Sequence, residues 1–231
     1  MTEAEWLMCA DPTPMLEFVK DRTSDRKAKL FAAAAFRRLG RLLPDPRQRR
    51  GVELLEQMAE GTATPHAVRQ GAAEVRRAWP PRGEPTTSAA PVDEPHFVGL
   101  MLYRAIASSS GTPRAFGRRA PRHVNGAASH AATACSGFAD EATRREGQSR
   151  LLRDLFGNPF RPASPQPSWL NPRVVALART IYDERTFDRI SELADALFLA
   201  GCENVDVLAH CRGPGPHVRG CWGVDLILGK T

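Results

Sequence analysis

Asn171-Pro-Arg-Val-Val-Ala-Leu-Ala-Arg-Thr-Ile-Tyr182-Asp-Glu-Arg-Thr186-Phe-Asp-Arg-Ile-Ser-Glu-Leu-Ala-Asp-Ala-Leu197-Phe-Leu-Ala-Gly201 reads as two helices in succession. Asn171 is a favoured N-cap, and Pro172 suits the first helical position, where its missing N–H removes no intrahelical bond. Val174, Leu177, Ala178, Ile181 and Tyr182 recur at the spacing that lays one apolar stripe along a helix. Thr186 is placed to cap a second helix whose core face is Phe187, Ile190, Ala194 and Leu197, closing at Gly201. Short links between such helices make antiparallel neighbours. The stretch predicts an all-α, multi-helix, bundle-like fold.

The same grammar extends in both directions. Asn204 caps a short helix reaching Cys211, and a last helix runs from Cys221 to Leu228, ending at Gly229. Upstream, Gly157-Asn158-Pro159 stops an Ala-rich helical stretch that ends through Leu151, Leu152, Leu155 and Phe156, and a Pro-rich connector follows. Near the N-terminus Thr2 and Glu5 form a capping box ahead of Trp6, Thr13-Pro14 starts a second helix, and Ser24 caps a third carrying Phe31, Ala35, Leu39 and Leu42. Leu43-Pro44-Asp45-Pro46 ends that helix; the next carries Val52, Leu55 and Met58, and another starts at Thr64-Pro65 and reaches about Trp79. No strand pattern and no internal repeat interrupts the series.

Between these parts the texture changes. Pro80 to Pro91 is rich in Pro, Ser and Thr with little to bury, as a flexible linker is. One helix is expected over Pro95 to Ala107, followed by a second loose stretch to about Gly126. The expected organisation is an N-terminal helical part over 1–79, a flexible region over 80–125, and a C-terminal helical part over 126–231 that packs with the first.

A chain of 231 residues with 42% hydrophobic content can bury a substantial core. No segment approaches the roughly 20 apolar residues of a membrane span, so no membrane partner is expected. The acidic start, Met1-Thr-Glu-Ala-Glu-Trp6, is unlike a basic signal-peptide start, which makes the cytoplasm the default location. The net charge of +6 invites a nucleic-acid reading. The arginines are scattered, however, and Arg118, Arg119 and Arg122 of the central stretch are not interleaved with aromatics, so nucleic acid stays a lesser alternative. Five cysteines without an export signal argue against a disulfide framework.

Several stretches together resemble a set of uncharacterised planctomycete proteins. They are Met1-Thr-Glu-Ala-Glu-Trp-Leu7, Asp11-Pro-Thr-Pro-Met-Leu-Glu-Phe18, Ser24-Asp-Arg-Lys27, Leu152-Arg-Asp-Leu-Phe-Gly-Asn-Pro-Phe-Arg-Pro162 and Cys211-Arg-Gly-Pro-Gly-Pro-His-Val-Arg-Gly-Cys-Trp222. The resemblance covers both ends of the chain and implies no activity. The family often carries cysteines where this chain has Ala33, Ala35 and Phe36, and a regular Ala-rich helical middle where this chain is rich in Pro and Ser.

The segment from Asn204 to Trp222 holds the densest collection of chemically able side chains. Cys202, His210, Cys211, His217 and Cys221 are the ligand types zinc uses. Their spacing offers no Cys-x-x-Cys or His-x-x-x-His pair, which favours buried apolar cysteines under a Gly-Pro loop over a zinc site. Arg212, His217 and Arg219 flank Gly213-Pro-Gly-Pro216 and could receive an anion, although the prolines remove donors that a phosphate cradle would use. The competing reading is a structural turn whose arginines bind carbonyls or carboxylates. Cys211 and His210 are adjacent on a helix and point about 100 degrees apart, so they do not form a nucleophile–base pair. No catalytic constellation, and so no catalytic residue or cofactor, is expected. The sequence thus favours a non-enzymatic interaction or scaffold module with a protein partner, ahead of zinc or small-anion binding at the C-terminal loop.

Overall fold

The computed structural model describes residues 1–78, 94–109, 126–134 and 140–230. Among them lie twelve α-helices, three 3-10 turns and no strand, so the all-α reading holds. The linker from Pro80 to Pro91 and the arginines Arg114, Arg118, Arg119 and Arg122 fall outside the described residues.

The helices are α1 (Glu3–Met8), α2 (Pro12–Val19), α3 (Asp25–Arg38), α4 (Pro46–Ala59), α5 (Pro65–Ala78), α6 (Glu94–Ser109), α7 (Gly126–Thr133), α8 (Glu141–Phe156), α9 (Pro172–Glu184), α10 (Ile190–Leu199), α11 (Val205–Arg212) and α12 (Trp222–Leu228). Most of the cap residues occupy their caps. Thr2 and Glu5 close a reciprocal capping box on α1, and Ser24 accepts the Lys27 N–H at the start of α3. Asn171 and Asn204 do the same for Val174 and Val207. In each case a short polar side chain satisfies a backbone donor that the first turn leaves open.

Several boundaries differ from expectation. Helix α2 begins at Pro12, two residues before the predicted Pro14. The Ala-rich stretch is two helices, α7 and α8, not one. Thr186 makes no side-chain cap, because residues 187–189 form a 3-10 turn ahead of α10.

The chain divides into two compact units that do not follow the sequence division at 79 and 126. One consists of residues 1–11 and 146–231, the other of residues 12–145. In the second unit α3 packs on α4 and α7, α4 on α5 and α6, and α6 on α5 and α7. Phe31, Phe36, Leu30, Leu55, Leu102 and Ile106 are buried there. Close approach of α4 and α5 relies on Gly51 and Gly71, where a β-carbon would meet Val75 and Leu54 at 2.5 Å.

The first unit stacks α9 on α10 and α12, with α11 against α10 and α12. Its core includes Trp169, Tyr182, Leu193, Leu197, Cys202, Val207, Cys211, Cys221 and Val224. Helix α1 joins this unit through Trp6, which is fully buried and donates its indole N–H to the Gly157 carbonyl at 3.0 Å. Burial of a side chain of this size stabilises by several kcal/mol, about 3–5 on truncation to alanine. That long-range contact is why local periodicity missed the assignment of residues 1–11.

Candidate metal centre

Four side chains of the first unit converge. Asp154 projects from the last turns of α8, His210 from α11, and His217 from the loop 213–221, while Cys221 occupies the N-cap position of α12. One donor atom from each lies within 4.8 Å of every other. His210 Nε2 is 3.0 Å from Cys221 Sγ and 3.5 Å from Asp154 Oδ1. His217 Nδ1 is 2.9 Å from Asp154 Oδ1 and 4.0 Å from Cys221 Sγ. Donors around a tetrahedral zinc ion, at ordinary bond lengths, stand about 3.3–3.6 Å apart. The observed spacings straddle that range.

The hydrogen bonds behind the donors orient them. The second oxygen of Asp154 accepts the Val218 N–H at 3.0 Å, which leaves Oδ1 for the centre. His217 Nε2 faces the Gly213 carbonyl at 3.2 Å. A carbonyl only accepts, so Nε2 carries a proton, and in the neutral ring Nδ1 presents its lone pair. That lone pair points at a carboxylate oxygen, and two electron-pair donors at 2.9 Å require a proton or a cation between them. The Cys221 sulfur accepts backbone N–H groups of Gly223 and Val224. Outer hydrogen bonds of these kinds are what hold metal ligands in place.

Burial makes the cluster electrostatically costly as it stands. Asp154 is 3% exposed and Cys221 fully buried. Burial pushes the Asp154 carboxyl up, against the opposing pull of His217 and the Val218 N–H. Burial also pushes the Cys221 thiol well up, and the neighbouring Asp154 charge adds to that. For His217, burial favours the neutral ring, but the Asp154 hydrogen bond and charge outweigh it and raise the imidazole. Among the described residues the ion-pair partners of Asp154 are its two histidines. A divalent cation at the centre would relieve all of these conflicts at once.

Trp222 shields one side. Its ring lies 4.8 Å from the His210 ring, and the two histidine rings meet edge to face at 4.9 Å. The turn after α8 allows this because Gly157 takes a left-handed φ of 64° beneath the indole.

Of the five residues with metal-ligand chemistry in the sequence, the structure brings His210, His217 and Cys221 together. Cys202 and Cys211 are not among the four converging residues; like Cys221 they belong to the hydrophobic core of the unit, and burial pushes the Cys211 thiol up to about 12. Asp154, the fourth member, was not anticipated. A legible signal existed, since Asp154 falls three residues after Leu151 and one before Leu155, in register with the buried face of α8. The three anion candidates take separate partners. Arg212 pairs with Asp195 at 3.3 Å, and Arg219 donates to the Tyr182 carbonyl in the last turn of α9. His217 belongs to the cluster. On α10, Glu192 is held by Arg189, an ordinary pair three residues apart.

Among the described residues no helix is long and apolar enough to cross a membrane. No protein-family profile, curated protein or solved structure matches this chain.

Proposed function

We propose that this chain binds one zinc ion through Asp154, His210, His217 and Cys221, and that the ion serves a structural role. The observation that carries the reading is the convergence of four donor atoms, each with its own orienting hydrogen bonds or packing, on one point. In a nucleophilic triad the histidine bridges in series, one nitrogen to the thiol and the other to the acid. Here the same nitrogen of His210 faces both Cys221 and Asp154, as does the same nitrogen of His217. A shared focus suits a metal rather than a proton relay.

One thiolate, two imidazoles and a carboxylate form a borderline donor set that suits zinc and disfavours magnesium or calcium. Four protein ligands fill a tetrahedron and leave no position for a substrate, which distinguishes a structural from a catalytic zinc. The ion would tie α8, α11, the 213–221 loop and the start of α12 together. The test is metal analysis of the purified chain, with cobalt(II) as a spectroscopic probe. One zinc per chain, and a thiolate-to-cobalt charge-transfer band that Cys221→Ser abolishes, are the expected results. Absence of stoichiometric zinc, with no cobalt band on titration, would remove the reading.

An interaction module with a protein partner remains compatible with this, with a metal-braced unit as its frame. Its support is the exposure of Phe198, Leu199 and Val205 at the α10–α11 corner, with values of 59%, 74% and 75%. Exposed apolar side chains grouped in this way are a feature of contact surfaces. Charged substitution at Leu199 that leaves the self-association and pull-down behaviour of the chain unchanged would count against it.

A further inference from the structure

We infer that the segment 1–9 is a strap that sets the affinity of the metal centre by bracing the end of α8, with Trp6 as a positioning residue. The inference rests on the metal reading above and adds a control element to it.

The strap grips α8 on both sides of Asp154 in sequence. One residue before it, the Arg153 guanidinium donates to the carbonyls of Trp6 and Cys9, each at 3.0 Å. Three residues after it, Gly157 receives the Trp6 indole N–H. Further along, Glu3 holds the Asn158 amide at 2.6 Å and the Arg161 guanidinium at 2.8 Å. The last turn of α8 and its exit are therefore fixed from outside by α1. Asp154 sits within that turn and cannot shift without straining these bonds.

A second route reaches another ligand. Gly157, held by Trp6, forms the floor for the Trp222 indole. Trp222 in turn lies against the ring of His210. Loosening Trp6 therefore relaxes both the carboxylate donor and one imidazole donor. A metal site demands ligand placement within a few tenths of an ångström, and outer partners commonly set affinity for this reason.

The coupling is reciprocal by necessity: if the strap tightens zinc binding by some factor, zinc tightens strap docking by the same factor. That supplies readouts a merely structural helix would not move. Zinc affinity is measured on the full chain by competition with a chelator, for wild type, Trp6→Phe and Arg153→Met. Trp6→Phe keeps an aromatic ring and removes the indole donor; Arg153→Met removes the two carbonyl clamps. Each is expected to weaken zinc binding about tenfold, the lower end of outer-partner effects. Met8→Ala, at a side chain 83% exposed on the same helix, is expected to leave affinity unchanged.

In wild type, amide exchange in residues 3–9 is expected to slow on adding zinc, whereas a strap with only a structural role shows the same exchange with zinc and with chelator. If wild type binds zinc with one-to-one stoichiometry, but both substitutions leave its affinity intact and exchange is zinc-independent, the strap inference falls and the metal reading stands. If wild type binds no zinc, both fall. If the substituted chains do not fold, the exchange comparison on wild type decides.

Discussion

A β-carbon built on Gly157 would stand 3.0 Å from Cδ2 of the Trp222 indole. Gly157 also holds a positive φ of 64°, so its lack of a side chain is required twice. Gly157→Ala is expected to cost about 2–3 kcal/mol, from the left-handed backbone and displacement of the indole together. Denaturant unfolding followed by tryptophan fluorescence checks this, since Trp6, Trp169 and Trp222 all belong to the unit that holds the metal centre. A loss below the error of the measurement would contradict the packing.

Removal of metal should destabilise that unit selectively. With free zinc a thousandfold above its dissociation constant, binding to the folded state contributes about 4 kcal/mol. Chelation should therefore lower the fluorescence-detected melting transition by many degrees and make it depend on zinc concentration. Insensitivity of the transition to both chelator and added zinc would exclude a structural ion.

Asp154→Asn should act with opposite sign in the two states. With zinc present it removes an anionic ligand and destabilises, lowering metal affinity by two or more orders of magnitude, roughly the loss of one strong ligand. In chelator the same change removes the desolvation cost of a buried carboxylate, while an amide oxygen can still accept the Val218 N–H. The metal-free variant should be as stable as metal-free wild type or more so. A fall in stability under chelation would mean that Asp154 is satisfied without metal.

His130 gives the second unit a pH dependence of known direction. Burial lowers its imidazole, and the Arg104 charge lowers it further. A histidine depressed in the folded state binds its proton more readily when unfolded. The stability from its neutral form is therefore complete above the unfolded value of about 6.5 and is lost as pH falls from there toward the folded value. His130→Gln should remove this component, so the stability difference between variant and wild type should change between about pH 7.5 and pH 5. An unchanged difference over that range would contradict the burial of the ring.

Much of the fold was legible because its signals are local. Asn171-Pro172, Ser24, Thr2 with Glu5, and Asn204 each announce a helix start through chemistry confined to one turn. Thr186 misled because the φ/ψ path after α9 passes through Arg185 in the left-handed region and then a 3-10 turn, which no cap preference encodes. The candidate metal centre was half legible. His210, His217 and Cys221 lie in one short stretch of sequence, but the expected zinc spacings describe ligands on hairpins and single helices. Here the fourth converging donor is Asp154, 63 residues before His217. An acid placed on the apolar stripe of α8 was the available clue, and it asks for a partner that periodicity does not name.

The membership of residues 1–11 in a unit otherwise built from residues 146–231 has a consequence for synthesis. A ribosome makes the Trp6 helix long before it makes the carbonyl of Gly157 that receives the indole. The intervening residues 12–145 can complete their own helical layers while the strap has nothing to dock on. Until Cys221 emerges, the cluster has no sulfur, and until Gly157 emerges, Trp6 has no pocket. The unit is therefore closed by a segment that is held in waiting while the residues separating it from its receptor are made.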